Sequence, residues 1–216
     1  MKRFPKNNPF VFDVVNRLHQ LSLATSPEWY NTIDQRGLSN LYFETLQAVI
    51  SIQLDEPWNE TIPGGSQGQE AALMFQVWMA GLSLFIWGTV RQVRVRLGQA
   101  LTRCICDPLF ARVKDLLEGT GSYHAWPRGK SLEPVMATLF YGVESCDFSS
   151  PWRNWCVESL SKVTEILKLK SAEEFSKALD NFPSTEGYKE AAGKLWVEMK
   201  SGGGRNPPTL TLSPLQ

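Results

Sequence analysis

Apolar residues recur at helical spacing along most of this chain. Val11, Val14, Val15, Leu18 and Leu21 share one face over residues 10–22. Leu38, Leu41, Tyr42, Leu46, Val49 and Ile50 do the same over residues 37–53. A period of about 3.6 residues aligns such side chains in one stripe, so each run predicts an amphipathic helix. Asp55–Pro57 and Pro63–Gly65 punctuate a loop. A long helical stretch then begins near Gln67 and runs to about Ile105, with Val93, Leu97, Leu101 and Cys104 aligned in its second half. Asp107–Pro108 restarts the chain, because Asp caps a helix and Pro fits its first turn. Phe110, Val113, Leu116 and Leu117 face inward from the helix that follows.

Gly119 to Lys130 reads as a loop rich in glycine and aromatics. Ser131 caps the next predicted helix, with Pro134 in its first turn and a stripe of Leu132, Val135, Met136, Leu139, Phe140 and Val143. Ser150–Pro151 starts another, which carries Trp152, Trp155, Cys156, Leu160, Val163, Ile166 and Leu167. Ser171 to Glu174 forms a capping box: the serine accepts from the first turn and Glu174 reaches back. Phe175, Ala178, Leu179 and Phe182 continue that short helix, and Tyr188, Ala192, Leu195, Trp196 and Met199 make a last stripe. No segment alternates cleanly as a strand would. The pattern predicts an all-α fold, an irregular multi-helix bundle with one long central helix. Residues 1–200 form its single domain, and the Gly- and Pro-rich residues 201–216 are expected to be a disordered tail.

The central helix has two readings. Ala71 to Val90 is free of charge and long enough to cross a bilayer. Arg91, Arg94 and Arg96 follow it and Glu70 precedes it, so the positive-inside rule places the C-terminal side in the cytosol. Asn59–Thr61 is a glycosylation sequon on the other side. Against this, Gln76, Ser83 and Thr89 are polar, and a helix apolar all round also fits the centre of a soluble domain. The core helix is the preferred reading; a single-pass membrane protein with span 71–90 and a cytosolic helical domain is the alternative.

Composition narrows the chemistry. Lys plus Arg balances Asp plus Glu at 22 each, without the basic excess of a free-standing nucleic-acid binder. Cys104, Cys106, Cys146 and Cys156 lack zinc-site spacing and read as buried free thiols. Gly129–Ser131 resembles the end of a phosphate loop, but His124 stands where its first glycine is needed. His19 and His124 have no nearby nucleophile, and His19 reads as solvated. Glu133 with Glu144, and Glu173 with Glu174, are better explained by capping and solvated faces than as catalytic pairs. Arg91, Arg94, Arg96, Arg103 and Arg112 read as solvated more readily than as a phosphate or acidic-helix site. No cofactor motif and no enzyme is expected.

Eight Trp and eleven Phe make the chain rich in aromatics. Phe75, Trp78, Phe85 and Trp87 of the central stretch, with Phe140, Trp152 and Trp155, are the candidate lining of an apolar ligand pocket. The simpler reading of the same residues is a core of packed rings.

The order Leu139, Phe140, Gly142, Glu144, then Arg153, Trp155, Leu160, Ile166 and Leu167 is followed by Ser171, Glu173, Glu174, Phe175 and Leu179, and by Leu195 and Trp196. This order resembles the C-terminal end of the fungal-specific regulatory domain of zinc-cluster transcription factors. The resemblance covers Glu133 to Met199. It implies an all-helical module in the nucleus or cytoplasm that regulates transcription through protein partners, self-association or a lipophilic small molecule. The six-cysteine zinc cluster and basic linker of that family are absent from this sequence, so the resemblance implies no direct contact with nucleic acid.

Overall fold

A computed structural model describes residues 9–30, 32, 34–54, 65–96, 106–118 and 132–201. Among them there is no strand, and the fold is all-α. The helices are α1 (Pro9–Ala24), α2 (Pro27–Tyr30), α3 (Gln35–Leu54), α4 (Gly65–Arg96), α5 (Asp107–Glu118), α6 (Glu133–Ser145), α7 (Pro151–Ile166), α8 (Ala172–Leu179) and α9 (Gly187–Lys200). The one-turn α2 was not anticipated, because a single turn has no period to read.

The central helix α4 packs against α1, α3, α5 and, most extensively, α6. By length and composition its Leu73–Val93 segment is apolar enough to cross a membrane, but 78% of its most apolar window is buried by the other helices. One continuous apolar core runs from Val14 and Leu18 of α1 through α4 and α6 to Trp196 and Met199 of α9.

Two glycines set how α6 lies on α4. A Cβ on Gly81 would stand 2.3 Å from Thr138 Oγ1. One on Gly88 would stand 4.0 Å from the Glu144–Ser145 peptide. The contacts advance together along both helices, so α4 and α6 run in the same direction. The Thr138 hydroxyl donates to Pro134 O at 2.9 Å and lies 3.3 Å from Val77 O across the crossing. Gly142, on α6, makes room for α7: a Cβ there would meet Cys156 Sγ at 2.7 Å and Phe110 Cε1 at 3.1 Å.

The helix ends follow their local chemistry. Ser150 accepts from Trp152 N at 3.3 Å. Ser171 accepts from Glu174 N at 3.2 Å, while the Glu174 carboxylate reaches back to Lys170 N at 2.7 Å, one residue before the expected Ser171 amide. Leu132 rather than Ser131 precedes α6, without a side-chain cap. At the end of α7, Leu169 N donates to Thr164 O and Lys168 N to Glu165 O. That closure places Lys168 at φ 58, a left-handed position that favours glycine.

Several sequence readings fall outside the described residues. They are the 55–64 loop with Asn59, the extension of the long helix over 97–105 with Cys104 and Arg103, the Gly119–Lys130 loop with His124, Ser131, and the tail over 202–216.

Candidate functional site

The seven aromatics singled out above fall into separate ring groups. Phe75 and Trp78 are neighbours on α4, with centroids 6.2 Å apart. Phe85 and Phe140 belong to a second group: Phe85 packs on Tyr141 at 5.1 Å and Tyr188 at 6.0 Å, and Phe140 packs on Tyr188 at 5.0 Å and Phe175 at 6.1 Å. Trp152 stacks on Phe110 at 5.5 Å and meets Trp155 edge-on at 6.2 Å. Trp87 is half-buried against the core and joins none of these pairs. Where two rings touch, each fills the apolar space beside the other.

A polar junction interrupts this core where the C-terminal ends of α4 and α6 meet the start of α9. Gly88 lies one helical turn before Gln92, so both present the same face of α4. A Cβ on Gly88 would come 3.4 Å from the Tyr188 hydroxyl. A Cβ on Gly187 would come 4.0 Å from Gln92 Nε2. Thr185 precedes α9, and its carbonyl accepts from Tyr188 N at 3.0 Å. Gln92 Oε1, Thr185 Oγ1 and the Tyr188 hydroxyl are each buried with no hydrogen-bond partner among the described residues. By contrast Tyr141, deeper in the same ring group, donates to Pro183 O at 2.7 Å.

Glu144 borders the junction. The sequence suggested a solvated carboxylate; the structure instead tucks it between α4, α7 and α9, partly buried. Burial pushes its carboxyl above the usual range, and the charges of Arg153, Arg91 and Lys194 pull it partly back. Those three cations are each engaged elsewhere. Arg91 pairs with Asp147 at 2.6 Å, Lys194 with Glu190 at 2.6 Å, and Arg153 grips Glu198 with both terminal nitrogens at 2.5 and 2.7 Å. The ring of Phe148 covers the Arg153 guanidinium at 4.7 Å. Arg91 is therefore not the freely solvated arginine that the sequence suggested.

The sign of the Glu144 effect follows from linkage. A carboxyl raised in the folded state binds its proton more tightly there than in the unfolded chain, so stability falls as pH rises from 4.5 towards the folded value. Glu144→Gln is expected to stabilise the chain at neutral pH and to match the parent below pH 4.5. Urea titrations at acid and neutral pH would read the difference. They should be run in a tetramethylammonium buffer, whose cation is too bulky to approach the carboxylate. A variant less stable than the parent at neutral pH would contradict the buried-carboxylate account.

The three cysteines among the described residues do not offer an exposed thiol. Cys106, Cys146 and Cys156 are buried and reduced, and burial pushes the Cys156 thiol well up. Among the described residues no three His, Cys, Asp or Glu side chains gather as a metal site. His19 is exposed, as the sequence suggested.

Gln92, Thr185 and Glu198 carried no signal in the sequence. They sit in separate segments, and only the folded arrangement gives each its role. Comparison with protein-family models, with curated proteins and with solved structures gives no match to this chain.

Proposed function

We propose that this chain is a helical regulatory module of the fungal-specific zinc-cluster transcription-factor type. In this reading it acts through protein contacts or a lipophilic ligand, in the nucleus or cytoplasm, with no catalysis and no DNA contact of its own. One observation carries it. Leu139, Phe140, Leu160, Phe175, Leu179, Leu195 and Trp196, which carry the family resemblance, are all buried in one continuous core formed with α6 to α9. Arg153 of the same pattern is held by Glu198, which ties α7 to α9.

Among the described residues, large apolar side chains left exposed concentrate on the first three helices. Phe12 and Leu23 lie on α1, Trp29 on α2, and Phe43 and Ile50 on α3. Apolar side chains in water are the usual material of a protein contact. The test is a reporter assay in a fungal host, with the full chain fused to an unrelated DNA-binding domain. A several-fold change in reporter output is expected, and it should weaken in Phe43→Asp, which is exposed and leaves the core intact. A fusion that folds, reaches the nucleus and leaves the reporter unchanged would overturn the reading.

The alternative remains a single-pass membrane protein, favoured by the uncharged run from Ala71 to Val90 within the 32-residue α4. An alkaline carbonate wash separates the two. Release from membranes supports the regulatory module, and retention supports the span.

A further inference from the structure

We propose that the junction of Gln92, Glu144, Thr185 and Tyr188 binds a monovalent cation, either an alkali-metal ion or the ammonium head of a small amine.

The unpartnered atoms are the first support. Buried polar groups are almost always hydrogen-bonded, and an orphan costs free energy. Here Gln92 Oε1, Thr185 Oγ1 and the Tyr188 hydroxyl are each orphaned among the described residues. Gly88 lies against the Tyr188 hydroxyl, Gly187 lies against Gln92, and Thr185 is tied to the start of α9 by its carbonyl, which accepts from Tyr188 N at 3.0 Å. All three are oxygens able to donate a lone pair, and the Glu144 carboxylate beside them is a fourth source. Oxygen sets of this kind suit hard cations and the three N–H donors of an ammonium group.

Charge supplies the second support. The positive groups around Glu144 are Arg91 from α4, Arg153 from α7 and Lys194 from α9. Asp147, Glu198 and Glu190 respectively neutralise them. The Glu144 carboxylate makes no hydrogen bond or ion pair of its own with the described residues, so one negative charge is left over at the junction. One unit of charge matches a monovalent cation, whereas calcium sites gather several carboxylates. Glycines at 88 and 187 keep side-chain bulk out of the junction.

Binding must also depend on pH. Protonating Glu144 removes the negative charge left unpaired at the junction among the described residues, and burial holds its carboxyl above the usual range. Affinity therefore falls as pH drops through that range, with the neighbouring arginines and Lys194 still charged.

The test is thermal unfolding of the full chain, followed by circular dichroism at constant ionic strength. Tetramethylammonium chloride serves as the baseline and is replaced in turn by sodium, potassium, ammonium and methylammonium chloride. At least one small cation is expected to give a saturable rise in Tm, about 5 °C at roughly a hundredfold excess over its Kd. A response to sodium or potassium alone assigns a metal ion; a response to ammonium and methylammonium assigns an amine. Glu144→Gln and Tyr188→Phe both keep the shape of the side chain, and both should lose the rise while still melting cooperatively. The proposal is overturned if no small cation exceeds the baseline, or if either variant responds like the parent.

Discussion

Gly81→Ala is expected to destabilise this chain by about 2 kcal/mol, although alanine is the better helix former. In an open helix the change gains up to about 1 kcal/mol. At residue 81 the new Cβ would lie 2.3 Å from Thr138 Oγ1, 2.7 Å from its Cγ2 and 2.8 Å from its Cβ. Thr138 is fully buried and β-branched, so it cannot swing aside. Relief requires moving α6 away from α4, and overpacking of this kind costs about 1–3 kcal/mol or more. Gly193, on α9, is the control. A Cβ there meets nothing within 4 Å, so Gly193→Ala should stabilise by about 0.5–1 kcal/mol. The same substitution is thus expected to have opposite signs at the two sites. Adding Thr138→Ala to Gly81→Ala removes the two nearest atoms, and the pair should be less harmful than the sum of the singles by about 1 kcal/mol or more. Guanidinium titrations of the four variants would read this. Additive effects would mean that α4 and α6 do not cross at these two residues.

The crossing also marks where the sequence stopped being legible. Helices α1, α3, α5 and α7 to α9 were readable because each buries one stripe, and a one-sided stripe leaves a period in the sequence; in α6 the residues between the predicted stripe positions are buried as well, from Val135 to Val143. Ser150 and Ser171 were readable because capping is a contact within a few residues of chain. The axis α4 was readable as a helix but not as a packed object. Its buried residues run on nearly every face from Met74 to Ile86, so no period says which neighbour lies where. Glycine is a poor helix former, so Gly81 and Gly88 taken alone would weaken α4; they are the places where α6 approaches.

The candidate site was less legible than the fold, for a related reason. Aromatic side chains announce burial but not partners. Phe75, Phe85 and Phe140 were visible as candidates, yet nothing in the sequence separates Phe75 with Trp78 from Phe85 with Tyr141. Polar residues announce even less. Glu144 has the same composition signal as any surface glutamate, and its environment is made by Arg91, Arg153 and Lys194 from three other segments. Gln92 sits in a run of arginines and looks like one more solvated side chain. Only when α9 lays Gly187 against it does its amide become part of an interior junction.

Phe140→Ala should be the most damaging single truncation among the aromatics, at about 3–5 kcal/mol and a fall in Tm of about 10 °C or more. Phe140 is 1% exposed and touches the rings of Tyr141, Phe175 and Tyr188, which come from α6, α8 and α9. Removing it leaves a gap whose walls are held by three helices and cannot all collapse inward. Phe43, 64% exposed on α3, is the contrast: Phe43→Ala should change stability by no more than about 0.5 kcal/mol. The gap is lined by apolar rings, so it should stay dry and accept a small aromatic molecule. Saturating benzene is therefore expected to restore part of the lost Tm in Phe140→Ala and to leave the parent unchanged, because there the phenyl ring already fills the space. A parent chain that is itself stabilised by benzene would show spare apolar volume between these helices. That result would favour a lipophilic ligand over a purely packed aromatic core.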